Sequence, residues 1–251
     1  MEIPVNLKNP SQFFASAGLA VLLNMPSHFE VTEYEGQPRP RASFVLPDFD
    51  MRILLGRLKS ATYVEISEAG GTKYSAKGES KVENLPVRMQ VGEQTFELDW
   101  WLNEFWSHKS GLKLWAGTTV PISLLRRLTE LLPTKSEDIL NERVEASRYN
   151  RPSWGFRPVR QTGVAPNLDK AKIYPIAELL CAVGLQYVRP VISNDGITFW
   201  VWRDDLPWEA AMAAGELEGV RTYALTAKRE KYGQGQFSFG AAEFVIVAMA
   251  H

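Results

Sequence analysis

The 251-residue chain sets 28 Lys and Arg against 29 Asp and Glu, a formal charge of −1, with 45% hydrophobic residues. That is enough apolar surface for a real core at a length where one domain becomes two, and too balanced a charge for a free-standing nucleic-acid binder, which ordinarily carries a basic excess to neutralise phosphates. The single cysteine, Cys181, excludes an intrachain disulfide framework and a Cys-rich zinc site, and neither a signal-peptide pattern nor a run of roughly 20 apolar residues is present, so a cytoplasmic protein with no membrane contact is expected.

In chain order, residues 1–7 alternate as a short strand, and Asn9-Pro10-Ser11 opens a helix with Ser11 as the expected N-cap. This helix runs to about Leu23, apolar on nearly every side and therefore buried, with Gly18 allowing close backbone packing. Strands follow at His28 to Tyr34 and Ala42 to Leu46 around a turn at Glu35-Gly36-Gln37-Pro38. Asp48 to Asp50 cap a second helix, Met51 to Lys59, and a strand spans Thr62 to Ile66.

That order is β-α-β-β-α-β, the ferredoxin-like pattern, and the second half repeats it. Tyr174-Pro175 opens an apolar helix ending at Gly184-Leu185; strands Gln186 to Ile192 and Ile197 to Trp202 come next; Asp204-Asp205 cap a helix from Trp208 to Ala214; Val220 to Ala227 closes the set. Ala17-Gly18-Leu19 aligns with Val183-Gly184-Leu185, and Asp48 to Asp50 with Asp204-Asp205. The expected fold is α+β: two ferredoxin-like, RAMP-like modules in weak internal duplication, over 1–132 and 169–251. A hairpin (Leu85 to Met89 with Thr95 to Trp101) and an amphipathic helix (Pro121 to Leu132) are inserted in the first, and 133–168 is an Arg/aromatic linker or binding loop.

Catalytic machinery is sparse. His28, His108 and His251 are far apart, no phosphate-binding glycine motif is present, and Gly233-Gln234-Gly235 reads only as a hairpin turn. Asp48 and Asp50 have the spacing to hold a divalent cation, but capping accounts for them. Cys181 sits on an apolar helical run as a core residue. No catalytic residue, metal or cofactor is assigned.

The positive signals are basic and aromatic. Arg143, Arg148, Arg151, Arg157 and Arg160 are interleaved with Tyr149, Trp154 and Phe156, a mix suited to phosphate contacts and base stacking. A second group, Arg221, Lys228, Arg229 and Lys231 with Tyr223 and Tyr232, falls on the last strand and hairpin. The expected nucleic-acid contacts are Arg148, Arg151, Trp154, Arg157, Arg160, Arg221, Lys228, Arg229 and Lys231.

Four segments taken together, Asn9-Pro10-Ser11-Gln12-Phe13-Phe14-Ala15 with Gly18-Leu19, Lys113-Leu114-Trp115-Ala116-Gly117, Tyr174-Pro175 with Glu178-Leu179-Leu180, and Gly184-Leu185-Gln186-Tyr187-Val188-Arg189-Pro190, resemble a small CRISPR-associated family of type I-G (formerly I-U) systems. At Arg148-Tyr149-Asn150-Arg151-Pro152 the sequence departs from the family pattern, which is more acidic and rich in Phe and Gly. The resemblance implies a non-catalytic, Cascade-like subunit of a crRNA-guided surveillance complex in antiviral defence. Its implied partners are other effector subunits, crRNA or target DNA, and the helicase-nuclease. In such complexes base pairing reads sequence while protein supplies backbone contacts, which a near-neutral subunit can share with its neighbours. The alternative is a metal-dependent nuclease or crRNA-processing enzyme on the same scaffold, using His28, His108, Asp48 or Asp50.

Overall fold

The computed structural model describes residues 1–67, 72–76, 80–102, 105–106, 109–110, 120–147, 153–158, 170–193, 195–232 and 236–245. Residues 148–152 and 159–168 of the expected linker or binding loop, and the segment Lys113 to Gly117, lie outside them.

The first helix, α1 (Pro10–Leu23), follows strand β1 (Glu2–Asn6). Asn9, not Ser11, caps α1: its side chain accepts from the Ser11 amide at 3.1 Å, while Ser11 is buried inside the first turn. Pro10 explains the shift, because a proline at N1 places the cap one residue before it. At the other end Asn24 adopts a left-handed conformation (φ 53°) that caps the last carbonyls.

Strands β2 (His28–Tyr34) and β3 (Gln37–Val45) form a hairpin on Glu35-Gly36, both at positive φ, as a tight two-residue turn requires. The strand β3 begins five residues before the expected Ala42. Pro38 and Pro40 argue against a central strand, and the sheet accommodates them by a register shift in β2 between Val31 and Glu33. Then come α2 (Met51–Lys59), capped by Asp50 accepting from the Arg52 amide at 2.8 Å, and β4 (Thr62–Glu65).

The middle of the chain holds β5 (Thr72–Ala76), β6 (Ser80–Asn84), β7 (Val87–Val91), β8 (Gln94–Leu98), β9 (Phe105–Trp106), β10 (Lys109–Ser110), α3 (Pro121–Glu130) and β11 (Val144–Ser147). After β12 (Lys170–Ile173), α4 (Pro175–Tyr187) runs straight through Gly184 rather than stopping there, so the strand expected from Gln186 shrinks to β13 (Val191–Ile192). The rest is β14 (Gly196–Trp202), α5 (Trp208–Ala211), β15 (Thr222–Tyr232), β16 (Gln236–Phe239) and β17 (Glu243–Phe244).

The molecule is a mixed α and β fold of several small antiparallel sheets. The element order of each half is the expected one, but the sheet orders differ from a closed ferredoxin-like sheet. The first sheet is β1-β3-β2, while β4 joins β7-β8; in the second half β14 pairs with β15, and β12 pairs with β11. Tyr63 on β4 shows what holds β4 away from β1: its buried ring packs beside α3 with its hydroxyl 2.6 Å from that of Thr129, and burial pushes its phenol up to about 12.

The two long helices cross at their glycines. A methyl built on Gly18 would run into the Leu180 carbonyl, and one on Gly184 into the Phe14 carbonyl. Each glycine thus opposes the carbonyl four residues before the other, a locally two-fold contact that only residues without a side chain permit. Around this crossing lies one continuous core fed by both halves of the chain. Phe13 stacks at 4.5 Å on Phe199 and 5.5 Å from Phe29, and Trp202 meets Phe29 edge-on at 4.9 Å. The Trp202 indole donates to the Ser27 carbonyl at 2.8 Å, where Ser27 also bridges to Leu206. Among the described residues no helix is long and apolar enough to cross a membrane.

Candidate nucleic-acid interface

The Arg/aromatic stretch behaves differently from its reading as a stacking loop. Arg148, Arg151 and Arg160 lie outside the described residues. Trp154 and Phe156 are fully buried, and Arg157 is only 4% exposed. Neither Trp154 nor Arg157 can therefore present itself to a nucleic acid. Residues 153–158 are a peg driven into the core beside α4, because Glu178 offers them acceptors: its carboxylate takes hydrogen bonds from the Trp154 amide and the Ser153 hydroxyl at 2.9 Å each, and its backbone carbonyl takes one from the Trp154 indole at 2.8 Å.

Arg157 completes the anchor. Its guanidinium lies 3.7 Å above the Tyr174 ring and donates to the Leu140 carbonyl at 2.8 Å. Burial disfavours its charged form, and the nearby Glu178 charge offsets part of that; for Glu178, burial raises the carboxyl's pKa while the Trp154 and Ser153 hydrogen bonds and Arg157 pull it down. Cys181, one turn along α4, is fully buried as expected, and burial pushes its thiol well above the usual range.

The second basic group divides as well. Alternation on β15 turns Leu225, Ala227 and Arg229 inward and Lys228 outward. Arg229 is half-buried, and its pKa is lowered by that burial. Lys228 is exposed and makes no ion pair among the described residues. The Lys231 side chain falls outside the described ones. Arg221 is exposed but held by Asp204, which accepts from its backbone amide and its Nε, both at 2.7 Å.

That contact corrects the expectation for Asp204-Asp205. The short helix α5 has Pro207 at its N-cap and no side-chain cap; Asp204 serves Arg221, which lowers its carboxyl's pKa through backbone and side-chain hydrogen bonds, and Asp205 lies 3.6 Å from His28 Nδ1. His28 also stands 3.7 Å from Glu30. Among the described residues no group of three or more His, Cys, Asp or Glu is placed to hold a metal ion.

Arg221 belongs to a patch that sequence reasoning did not assemble. Beside it, the Arg203 amide donates to the Arg221 carbonyl at 2.8 Å. The Arg203 guanidinium lies 4.9 Å over the Tyr223 ring and donates to Glu33 at 3.0 Å, and the Tyr223 hydroxyl donates to the same Glu33 carboxylate. Next to Glu33 in β2, Tyr34 is 57% exposed with the Arg39 guanidinium 4.5 Å over its ring. Two arginines and a tyrosine, Arg203, Arg221 and Tyr223, thus meet where the first hairpin joins the C-terminal sheet, and the Tyr34–Arg39 pair lies beside the turn of that hairpin. Two carboxylates, Glu33 and Asp204, neutralise two of the cations; Arg39 has no carboxylate partner among the described residues.

Such an arrangement can hold a phosphate with Arg39 and offer Tyr34 as a stacking surface. The available sequence signal was the repeat Pro38-Arg39-Pro40-Arg41, which places both arginines on one face of a strand two residues apart. Arg203 carried no local signal, since its juxtaposition with Tyr223, which the sequence grouped with Arg221, depends on the pairing of β14 with β15. Among known proteins, no family model matches the chain, and neither the curated proteins nor the solved structures give a significant match.

Proposed function

We propose that the chain is a non-catalytic, cytoplasmic subunit of a crRNA-guided type I CRISPR surveillance complex. It contacts the RNA or DNA backbone through the patch of Tyr34, Arg39, Arg203, Arg221 and Tyr223, together with Lys228. The observation that carries the contact is Arg39 lying over the exposed Tyr34 ring with no carboxylate to neutralise it. Support for the family reading comes from where its motifs converge. Asn9 caps α1, Gly18 and Gly184 form the helix crossing, and Glu178 holds the buried peg, so three of the four resembling segments build one scaffold. The reciprocal glycine contact also favours an internal duplication of two ferredoxin-like, RAMP-like units whose outer strands have been re-paired.

The chain's own charge of −1 fits a subunit whose neighbours supply much of the nucleic-acid channel. Affinity purification of the tagged protein from its native host, with mass spectrometry and small-RNA sequencing of what accompanies it, tests the assignment. Other CRISPR subunits and a uniform guide RNA are expected; recovery of the protein alone overturns it. Cleavage of labelled RNA or DNA with Mg²⁺ that Asp48→Ala combined with Asp50→Ala abolishes would establish the nuclease reading instead.

A further inference from the structure

A pocket of about 290 Å³ opens on another side of the fold, between the ends of α1 and α4, the start of α5 and the outer strand β8. Its walls are aromatic. Tyr187 meets Trp208 edge-on at 5.2 Å and 79°, and Phe96 at 6.1 Å and 81°, so its ring stands nearly at right angles to both neighbours. The Trp208 indole is fixed by donating to Asn24 Oδ1 at 3.0 Å, and Asn24 is itself locked by its left-handed capping conformation.

The lining of this pocket offers acceptors and no cation. Gln94 lines it with an Oε1 that is buried and has no hydrogen-bond donor among the described residues, and a turn of this partly exposed side chain would bring that oxygen to the pocket. Both α1 and α4 end at the pocket, bringing two helix C-termini and their partial negative charge to it, and neither helix has a basic residue in its last turn. Glu97 on β8, itself paired with Arg88 at 2.7 Å, is close enough for its charge to act on the Tyr187 phenol, whose pKa is raised first by burial and then by that charge. Of the cations around the pocket, Arg189 donates to the Gln186 carbonyl and is paired with Asp99 at 2.8 Å, and Arg57 lies by Gly92 in the β7–β8 turn. No lining residue is basic.

We propose that this pocket receives the side chain of an arginine presented by a partner protein, its guanidinium lying against Trp208 and Tyr187 and donating to Gln94 Oε1. Aromatic faces, an unfilled acceptor and two helix C-termini are the surroundings a planar cation requires. A nucleotide fits poorly here, since its phosphate would meet the same negative field. The pocket shares no residue with the Arg/Tyr patch, so its test is independent of nucleic-acid binding.

The test is a titration of the full chain with Nα-acetyl-arginine methylamide, followed by calorimetry in every variant and, where the ring is present, by the Trp208 Nε1–H resonance assigned with Trp208→Phe. The citrulline analogue (neutral but nearly isosteric), the lysine analogue and adenosine are run beside it. Saturable shifts are expected with the arginine amide, with the citrulline analogue and Trp208→Ala each roughly tenfold weaker, the scale of a partly desolvated cation–π contact. Gln94→Leu should weaken binding in a chain whose aromatic walls are intact, which keeps the test open if Trp208→Ala fails to fold. No saturable response to arginine, or an equal response to citrulline, overturns the proposal. Tighter binding of the lysine amide overturns the guanidinium assignment, and tighter binding of adenosine makes the pocket a base site instead.

Discussion

Arg157 and Arg39 are the same residue type in similarly Pro-flanked, aromatic-rich stretches, yet one is a structural bolt and the other a free hand. Arg157 lies over Tyr174 inside the core, with Glu178 near enough to offset its burial; Arg39 lies over Tyr34 in solvent with no acid to answer it. Cation–π geometry alone does not distinguish the roles. What distinguishes them is desolvation, since a buried cation must have its charge and donors met by protein, whereas an exposed one keeps its charge available to a phosphate.

Removing the buried side of this comparison should have the largest effect. Glu178→Ala strips the acceptor from the Trp154 amide and leaves Arg157 buried without its nearby countercharge, so stability should fall by about 3–5 kcal/mol, read from the urea midpoint. Arg39→Ala should change stability by no more than about 0.5 kcal/mol. If the two variants unfold at similar urea concentrations, the peg is not the anchor described here.

Next in size is the helix crossing that supports the peg. Gly184→Ala puts a methyl against a backbone carbonyl, which cannot rotate away as a side chain could, and should cost about 1–3 kcal/mol. Gly56→Ala, on exposed α2 with open space around it, should be neutral or stabilising. Equal effects at the two glycines in thermal melts would mean that the helices separate easily.

The pH dependence divides along the same line. Glu178 has a raised pKa in the folded protein, so the fold holds that proton more tightly than the unfolded chain does. Acidification from above the folded value toward the ordinary 4.5 should therefore stabilise the protein. Asp50 and Asp204 have lowered values, so their contribution is lost as pH falls below 3.8. Melting temperature should rise on mild acidification and drop below about pH 3.8, where the lowered carboxylates take up protons; Glu178→Gln should flatten the rise and keep the drop.

On the exposed side, charge reversal of Arg39, Arg221 and Lys228 together should leave the melt nearly unchanged and weaken binding of single-stranded RNA or DNA. The log–log salt slope should decrease by roughly 0.7 per lost phosphate contact, measured by fluorescence anisotropy across a salt series. An unchanged slope would remove the patch from the nucleic-acid path.

The sequence made the element order of both halves, the buried character of α1 and α4, and the cap at Asp50 legible, because each rests on local periodicity or on one side chain. It did not reveal the sheet orders, since β4 and β12 pair with β7 and β11 from the middle of the chain instead of with strands of their own halves. Gly184 was misread as a helix stop because a packing glycine and a capping glycine look alike until the partner helix is in place. Trp154 and Arg157 were misread for a related reason: the acid that accounts for their burial, Glu178, is more than 20 residues away and itself looks like a surface residue of an apolar helix. Of the Arg/Tyr patch only Arg221 and Tyr223 were singled out, because the rest meets through the packing of the first hairpin on the second sheet.

The smallest effect gives the sharpest reading of that joint. Glu33 accepts from both Arg203 and Tyr223, and with side-chain exposures of 40% and 26% the Glu33–Arg203 pair is partly solvated. Glu33→Gln should therefore lower stability by less than about 1 kcal/mol. The same change frees Arg203 and adds one positive charge to the patch, so affinity for single-stranded nucleic acid should rise and the salt slope should steepen, opposite in sign to the loss expected from the triple reversal. A variant that loses stability and affinity together would show that Glu33 positions the patch for binding; one that gains affinity would show that the carboxylate competes with phosphate for Arg203.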